Sequence, residues 1–151
     1  MSKPGINAER ELVHLLWDNG FAVMRAPVSG GATKMPRPDL IAGKSLIGKI
    51  YAIELKVTKA NRVYLEQKEV DDLIFFAKRF GAEPLICVKF KGKRLGYLFI
   101  KPELLRRTKN GNYVVDLDFA ISRGDDITAI SEGIFQQRFD DYYNNDGNEA
   151  K

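Results

Sequence analysis

Two strand-like segments on either side of residue 46 constrain the fold of this chain more than any other feature of its sequence. Residues 38–42 are short and apolar, and residues 50–57 are rich in β-branched and aromatic side chains. The residues between them, 43–49, include two glycines, which is typical of a turn. The sequence therefore predicts an antiparallel hairpin folded about positions 46 and 47.

The register of this hairpin brings acidic side chains together. Folding about that centre places Asp39 opposite Glu54, and directly opposed residues have Cβ atoms about 4.5–5.5 Å apart. Alternation along the second strand puts Glu54 and Lys56 on one face, while the alternate residues from Tyr51 onward face the core. Two carboxylates and the carbonyl oxygen of Leu55 are hard oxygen donors of the kind that Mg²⁺ binds.

A lysine beside such a site indicates phosphodiester hydrolysis. The ammonium group of Lys56 can orient or deprotonate an attacking water and can neutralise charge that grows on the phosphate oxygens. The same residue types also occur as solvated ion pairs on exposed strand faces, so the spacing of Asp39, Glu54 and Lys56 does not by itself identify a nuclease.

The distribution of charge fits a protein that binds a phosphate backbone. Residues 1–112 carry a net charge of +10, whereas residues 113–151 carry −6, so a basic body precedes an acidic region. A basic surface attracts nucleic acid, although many proteins that bind none have one. The single cysteine, Cys87, lies in an apolar segment and excludes a disulfide framework or a Cys/His metal site.

Length and hydropathy predict one domain with no membrane partner. A chain of 151 residues, 44% of them hydrophobic, corresponds to one domain with a buried core. It has neither a signal-like N-terminus nor an apolar run of about eighteen residues, which predicts a cytoplasmic protein. We expect a single domain over residues 1–143, with an acidic C-terminal helix, and a disordered tail over residues 144–151.

Hydrophobic periodicity predicts the other elements of an α/β protein. We expect helices over residues 8–19, 65–80, 103–107 and about 126–142, and further strands over residues 21–26, 85–90, 96–100 and 113–118. The predicted inward residues of the second helix are Val70, Leu73, Ile74, Ala77 and Phe80. The predicted inward residues of the last helix are Ile127, Ile130, Ile134 and Phe135.

Several polar residues are candidates to extend the site. Glu9 lies on the rim of the buried stripe of the first helix, where it is either a third carboxylate of the metal site or a first-turn acid that stabilises the helix dipole. The loop over residues 27–37 is either a flexible linker or a segment that contacts substrate. The candidate DNA contacts are Ser29, Lys34 and Arg37 in this loop, Arg10 in the first helix, and Lys59 and Arg62 after the hairpin.

Six short motifs in order make the sequence similar to one family of nucleases. They are Ala8-Glu9-Arg10-Glu11-Leu12, Gly20-Phe21-Ala22-Val23, Arg25-Ala26, Pro38-Asp39-Leu40, Glu54-Leu55-Lys56 and Phe76-Ala77-Lys78-Arg79-Phe80. Over about residues 5–116 the sequence resembles the archaeal-type Holliday junction resolvases (Hjc and Hje) of the PD-(D/E)xK superfamily. The loop before Asp39 and the acidic region beyond Asp116 do not match that pattern.

The resemblance implies a fold and a set of roles. It implies a restriction-endonuclease-like core, a central mixed sheet of about five strands flanked by helices. It also implies metal-binding acids at Glu9, Asp39 and Glu54, a catalytic lysine at Lys56, a loop serine at Ser29, junction-binding residues at Arg10 and Arg25, and dimer-forming aromatics at Phe76 and Phe80.

The expected activity is symmetric, Mg²⁺-dependent cleavage of four-way DNA junctions by a homodimer, with Mn²⁺ as an alternative ion. Archaeal cells, their viruses and some bacteriophages are the expected sources. Two other functions stay open on the residues alone. One is a related PD-(D/E)xK nuclease that acts on other DNA targets, and the other is a branched-DNA-binding protein without catalysis.

Overall fold

The computed structural model describes residues 4–27 and 35–134, which form four α-helices and eight β-strands. In chain order they are α1 (Pro4–Asp18), β1 (Ala22–Arg25), β2 (Leu40–Lys44), β3 (Lys49–Thr58), β4 (Arg62–Leu65), α2 (Gln67–Phe80), β5 (Glu83–Phe90), β6 (Leu98–Ile100), β7 (Arg106–Arg107), β8 (Tyr113–Asp116), α3 (Leu117–Arg123) and α4 (Ile127–Glu132). No helix among these residues is long and apolar enough to cross a membrane.

The main sheet has five strands in the order β1-β2-β3-β5-β6. Only β3 and β5 are parallel in it, and the other neighbours are antiparallel. β3 and β5 carry apolar side chains on both faces, so each face of the sheet has to be covered by other elements. Leu12 and Leu16 of α1 pack on the face that carries Ile53, and Leu73 of α2 packs on the face that carries Ala52. The predicted mixed sheet flanked by helices is confirmed.

The β2–β3 hairpin has the predicted register. Leu40 pairs with Ile53 and Lys44 with Lys49, so the hairpin folds about positions 46 and 47. β2 begins at Leu40 rather than at residue 38, and a single 3-10 turn over Ser45–Ile47 joins the strands. Continued by one step, this register sets Asp39 beside Glu54 on the face of the sheet that α2 covers.

A second, three-stranded sheet in the order β4-β8-β7 was not predicted. The sequence analysis assigned no strand where β4 lies, and it predicted a helix over residues 103–107. Instead, Pro102–Leu104 forms one 3-10 turn, Leu105 is extended, and Arg106 pairs with Val114. The helix prediction was wrong because the pairing partner of this segment, β8, supplies backbone hydrogen bonds that a local pattern does not reveal.

The ends of the helices also differ from prediction. Asp116 caps α3 by accepting a hydrogen bond from the backbone N–H of Phe119 at 2.8 Å, so the strand predicted to reach residue 118 ends there. α4 ends at Glu132, because Gly133 adopts a φ of +70°. Ile134 is 64% exposed rather than inward. Phe135, the rest of the predicted last helix and the predicted tail lie outside the described residues.

Candidate active site

Asp39 is held at the mouth of the hairpin by two hydrogen bonds. Its carboxylate oxygen Oδ2 accepts from the backbone N–H of Leu55 at 2.8 Å, and its carbonyl oxygen accepts from the backbone N–H of Ala26 at 2.9 Å. The bond from Ala26 continues the β1–β2 ladder by one residue and holds the backbone of Asp39, and the bond from Leu55 fixes its carboxylate against β3. The side chain is therefore preorganised by a backbone group of β3.

Glu54 and Asp39 form a hydrogen-bonded carboxyl pair. Burial of Glu54, followed by the charge and hydrogen bond of Asp39, raises the pKa of Glu54 to about 9, and Lys56 opposes the shift only in part. Glu54 is therefore protonated at neutral pH when no cation is bound. Two carboxyl groups this close repel each other once both are ionised.

The carbonyl oxygen of Leu55 faces the same edge of the sheet as Asp39. In a β-strand, the N–H and C=O of one residue point to the same side. Since the N–H of Leu55 donates to Asp39, the C=O of Leu55 also points toward the β2 side of β3. β2 begins only at Leu40, so no residue of β2 pairs with Leu55 there. This edge thus presents two carboxyl groups and a backbone carbonyl group.

This set of oxygen donors fits a divalent cation. A cation between Asp39 and Glu54 would displace the proton of Glu54 and remove the repulsion between two carboxylates. Hard oxygen ligands of this kind suit Mg²⁺ or Mn²⁺. Within residues 4–27 and 35–134, however, no cluster of three or more Asp, Glu, His or Cys side chains is close enough to share an ion.

Lys56 lies beside the carboxyl pair and is paired with Glu69 of α2. Lys56 and Glu54 share one face of β3, and α2 covers this face. Glu69 also accepts a hydrogen bond from the backbone N–H of Glu66 at 2.9 Å. Glu69 belongs to none of the sequence motifs, although Glu66 and Glu69 have the spacing of the capping box that the structure shows at the start of α2.

An open cleft of about 560 Å³ leads to Glu54. Arg37 and Glu69 line it, together with Leu73 of α2. Arg37, which is partly buried, is therefore a predicted DNA contact that lines the same cleft as Glu54. Of the other predicted loop contacts, Ser29 and Lys34 lie outside the described residues.

Glu9 and Arg25 are paired with each other on the opposite face of the sheet. The Nε atom of Arg25 donates to Oε1 of Glu9 at 2.7 Å, and both side chains are partly exposed. Glu9 therefore does not join Asp39 and Glu54 in this arrangement. The expected third carboxylate is engaged by a cation of the protein itself.

The remaining predicted DNA contacts are exposed. Arg10 lies on the outer face of α1, and Lys59 and Arg62 lie where β3 leads into β4. A hydrogen bond from Arg62 to the side chain of Tyr64 raises the pKa of its guanidinium. Lys59 and Arg62 thus lie just beyond the end of β3 that carries the site, where their positive charges are exposed to a large polyanion.

Aromatic side chains of α2 form an exposed surface beside the cleft. Phe76 and Phe80 stack with ring centroids 5.4 Å apart, and Phe80 is 53% exposed. The helical periodicity alone placed Phe80 inward, whereas its exposure agrees with the surface position that the resemblance implies. Ile74, which was predicted to be inward, is 38% exposed. A shallow apolar groove runs from these rings past Met24 and Ile41.

Comparison with known proteins identifies the family. The model of the archaeal Holliday junction resolvase (Hjc) family matches residues 1–138. The crossover junction endodeoxyribonuclease Hjc of Sulfurisphaera tokodaii is 39% identical over 142 residues, which cover 91% of this chain and 94% of that protein. Hjc of Archaeoglobus fulgidus is 36% identical over 140 residues, covering 92% and 97% of the two chains.

The solved structure of Archaeoglobus fulgidus Hjc, a Holliday junction resolvase, has the same fold. It aligns with a TM-score of 0.76 and 33% identity over 84% of this chain and 99% of that chain. The restriction-endonuclease-like core predicted from the motifs is thereby confirmed. In fold and in sequence over nearly its whole length, the chain belongs to the archaeal Holliday junction resolvase family.

Proposed function

We propose that this protein is a metal-dependent endodeoxyribonuclease that cleaves four-way DNA junctions symmetrically as a homodimer. The observation that carries the proposal is the register of β2 and β3, which sets the carboxyl groups of Asp39 and Glu54 side by side, with Lys56 on the same face of β3. Its family membership and the names of its relatives, crossover junction endodeoxyribonucleases, support the junction as substrate. Its site of action would be the cytoplasm of an archaeal or virus-infected cell.

The proposed ion is Mg²⁺, with Mn²⁺ as an alternative, because every donor at the site is a hard oxygen atom. Asp39, Glu54 and the carbonyl oxygen of Leu55 would hold it. When bound, the ion supplies Lewis acidity toward the scissile phosphate and makes water a stronger acid. Lys56 brings a second positive charge toward the phosphate oxygens and orients the attacking water.

Residues outside the carboxyl pair would complete the site when DNA binds. A DNA phosphate that pairs with Arg25 would break the ion pair between Arg25 and Glu9. Glu9 would then be available as a third acid at the ion. Ser29, Lys34 and Arg37 would approach the backbone from the loop that leads into Asp39. Exposed positive charges further out, on Arg10, Lys59 and Arg62, would make binding strong and sensitive to salt.

The apolar groove along α2 is proposed as the surface that joins two copies of the chain. The stacked rings of Phe76 and Phe80 and the exposed side chain of Met24 form a contiguous apolar patch. In a two-fold dimer the same patch meets itself, which sets two identical sites across a roughly symmetric substrate. A homodimer would therefore nick two strands in one binding event.

A double variant, Phe76→Ala with Phe80→Ala, is expected to be monomeric. Aromatic anchors at the centre of an interface carry most of its binding energy, about 2 kcal/mol or more each. The measurement is sedimentation at several concentrations. Trp17→Ala is the control, because Trp17 is 62% exposed on α1, which packs on the opposite face of the sheet, and it should leave the dimer intact. A double variant with the mass of a dimer would refute this interface.

The proposed activity is tested with two DNA substrates of the same sequence, a four-way junction and a linear duplex, in Mg²⁺. The junction should be cut into two nicked duplexes and the duplex should remain uncut. Equal cleavage of both would favour a nuclease with another target. Tight binding of the junction with no cleavage by the wild type, in Mg²⁺ or Mn²⁺, would favour a branched-DNA-binding protein.

A further inference from the structure

Glu69 is a charged side chain at the site that has no role in the proposed chemistry. It projects from the first turn of α2 toward β3, and it is partly buried in the cleft that leads to Glu54. A negative charge at this position repels the phosphates of DNA and the carboxylates of Asp39 and Glu54. Its presence there needs a reason other than attraction of substrate.

Both carboxylate oxygens of Glu69 are already engaged. Oε1 accepts from the ammonium group of Lys56, and Oε2 accepts from the backbone N–H of Glu66 at 2.9 Å. The second bond is half of a reciprocal capping box at the start of α2, so it ties the carboxylate to the backbone. The side chain is therefore held at one end by its helix and holds Lys56 at the other.

The start of α2 is itself held by the second sheet. The backbone N–H of Gln67 donates to Oδ1 of Asn112 at 3.1 Å, and Asn112 lies in the turn between β7 and β8. Fixing a flexible lysine side chain in one conformation costs up to about 2 kcal/mol of rotamer entropy. An ion pair with a partner that is itself held in place offsets this cost. The chain of contacts from Asn112 through Gln67 and Glu69 thus ends on the ammonium group of Lys56.

We propose that Glu69 is a positioning residue, whose carboxylate holds the ammonium group of Lys56 in the orientation that acts on the scissile phosphate. This inference rests on the proposed nuclease function, since it gives Lys56 a part in cleavage. Glutamine cannot make both contacts in this geometry, because Lys56 donates to one carboxylate oxygen and the N–H of Glu66 to the other, and glutamine has an NH₂ group in place of one of them. In one orientation the amide NH₂ group would face the ammonium group of Lys56. In the other it would face the backbone N–H of Glu66, and the capping hydrogen bond would be lost.

The test is the Glu69→Gln variant in single-turnover cleavage of a four-way junction, with enzyme in excess and Mg²⁺ saturating. The rate should fall about 10- to 100-fold, the range typical of residues that orient a group at a metal site. Affinity for the junction, measured in Ca²⁺, should be unchanged or higher. Removal of a negative charge would by electrostatics alone favour DNA, and saturating Mg²⁺ offsets a weaker attraction of the ion, so a lower rate under these conditions separates positioning from a field effect.

Two matched variants control for charge and for folding. Asp72→Asn removes the same charge one turn along α2, where Asp72 is paired with Lys68 at 2.6 Å, and it should cleave within about twofold of the wild type. Glu66→Ala removes the other half of the capping box and leaves the carboxylate of Glu69 on Lys56. It should lower the midpoint of thermal unfolding without a comparable loss of cleavage rate.

A double-mutant cycle decides whether Glu69 acts through Lys56. In a Lys56→Ala background, Glu69→Gln should cost less than twofold, because its partner is gone. The same loss in both backgrounds, a Glu66→Ala variant as slow as Glu69→Gln, or a Glu69→Gln variant as fast as the wild type would each overturn the inference. A wild type that leaves the junction uncut would instead overturn the proposed function.

Discussion

The Glu54→Gln variant is expected to lose junction cleavage by about 10³-fold and to keep its affinity for the junction. Glutamine has the shape of the protonated glutamic acid and still reaches Asp39, but it never offers a carboxylate to the ion. Removal of one preorganised electrostatic group from an active site costs about 10²–10³ in rate, and a metal ligand lies at the upper end. The measurement is single-turnover cleavage in Mg²⁺ beside binding in Ca²⁺.

The control for this prediction is Glu83→Gln. Glu83 lies at the end of the parallel β3–β5 pair that is far from Glu54, where it pairs with Tyr51 across the strands. Its carboxylate accepts a hydrogen bond from Lys49 at 2.7 Å. Loss of its charge should leave the cleavage rate within about twofold. Cleavage by Glu54→Gln at the wild-type rate would show that the carboxyl pair is not the catalytic site, whatever the substrate.

The second large effect is on stability without metal. Because the pKa of Glu54 is about 9 in the folded protein and near its ordinary value in the unfolded chain, the folded state binds one more proton between about pH 4.5 and pH 9. Stability of the wild type in EDTA should therefore fall as the pH rises through that window. Glu54→Gln should remove this fall and be more stable at pH 8 by a few kcal/mol.

Thermal unfolding in EDTA at pH 5 and pH 8 measures this linkage. At pH 5 the two proteins should unfold at similar temperatures, and at pH 8 the variant should unfold later. Added Mg²⁺ should stabilise the wild type at pH 8 by binding its folded state, but stabilise Glu54→Gln much less. A wild type whose stability does not fall from pH 5 to pH 8 in EDTA would contradict a protonated Glu54.

Stability and activity thus oppose each other at Glu54. A carboxyl group that is buried beside another is unfavourable until an ion joins them, and the ion is needed for the proposed chemistry. The rest of the structure offsets this cost through the two-sided core of β3 and β5. A loss of folding stability in exchange for activity is expected wherever a site must be both charged and partly desolvated.

Local patterns in the sequence determined the hairpin and its consequences. The two glycines of the turn and the alternation of residues 50–57 sufficed to place Asp39 beside Glu54 and Lys56 on one face of β3, because register and side-chain direction in a hairpin depend on near neighbours. The family motifs likewise lie in short segments. The mixed sheet flanked by helices was implied by the resemblance that these motifs carry.

Only the tertiary structure decided what each of these side chains meets. The second sheet joins β4 to a strand some fifty residues later in the chain, the capping box turns Glu69 onto Lys56, and Arg25 engages Glu9 away from the carboxyl pair. Contacts of this kind depend on how separate elements pack. Periodicity reports which face of an element is apolar, but not which charged partner lies across from it.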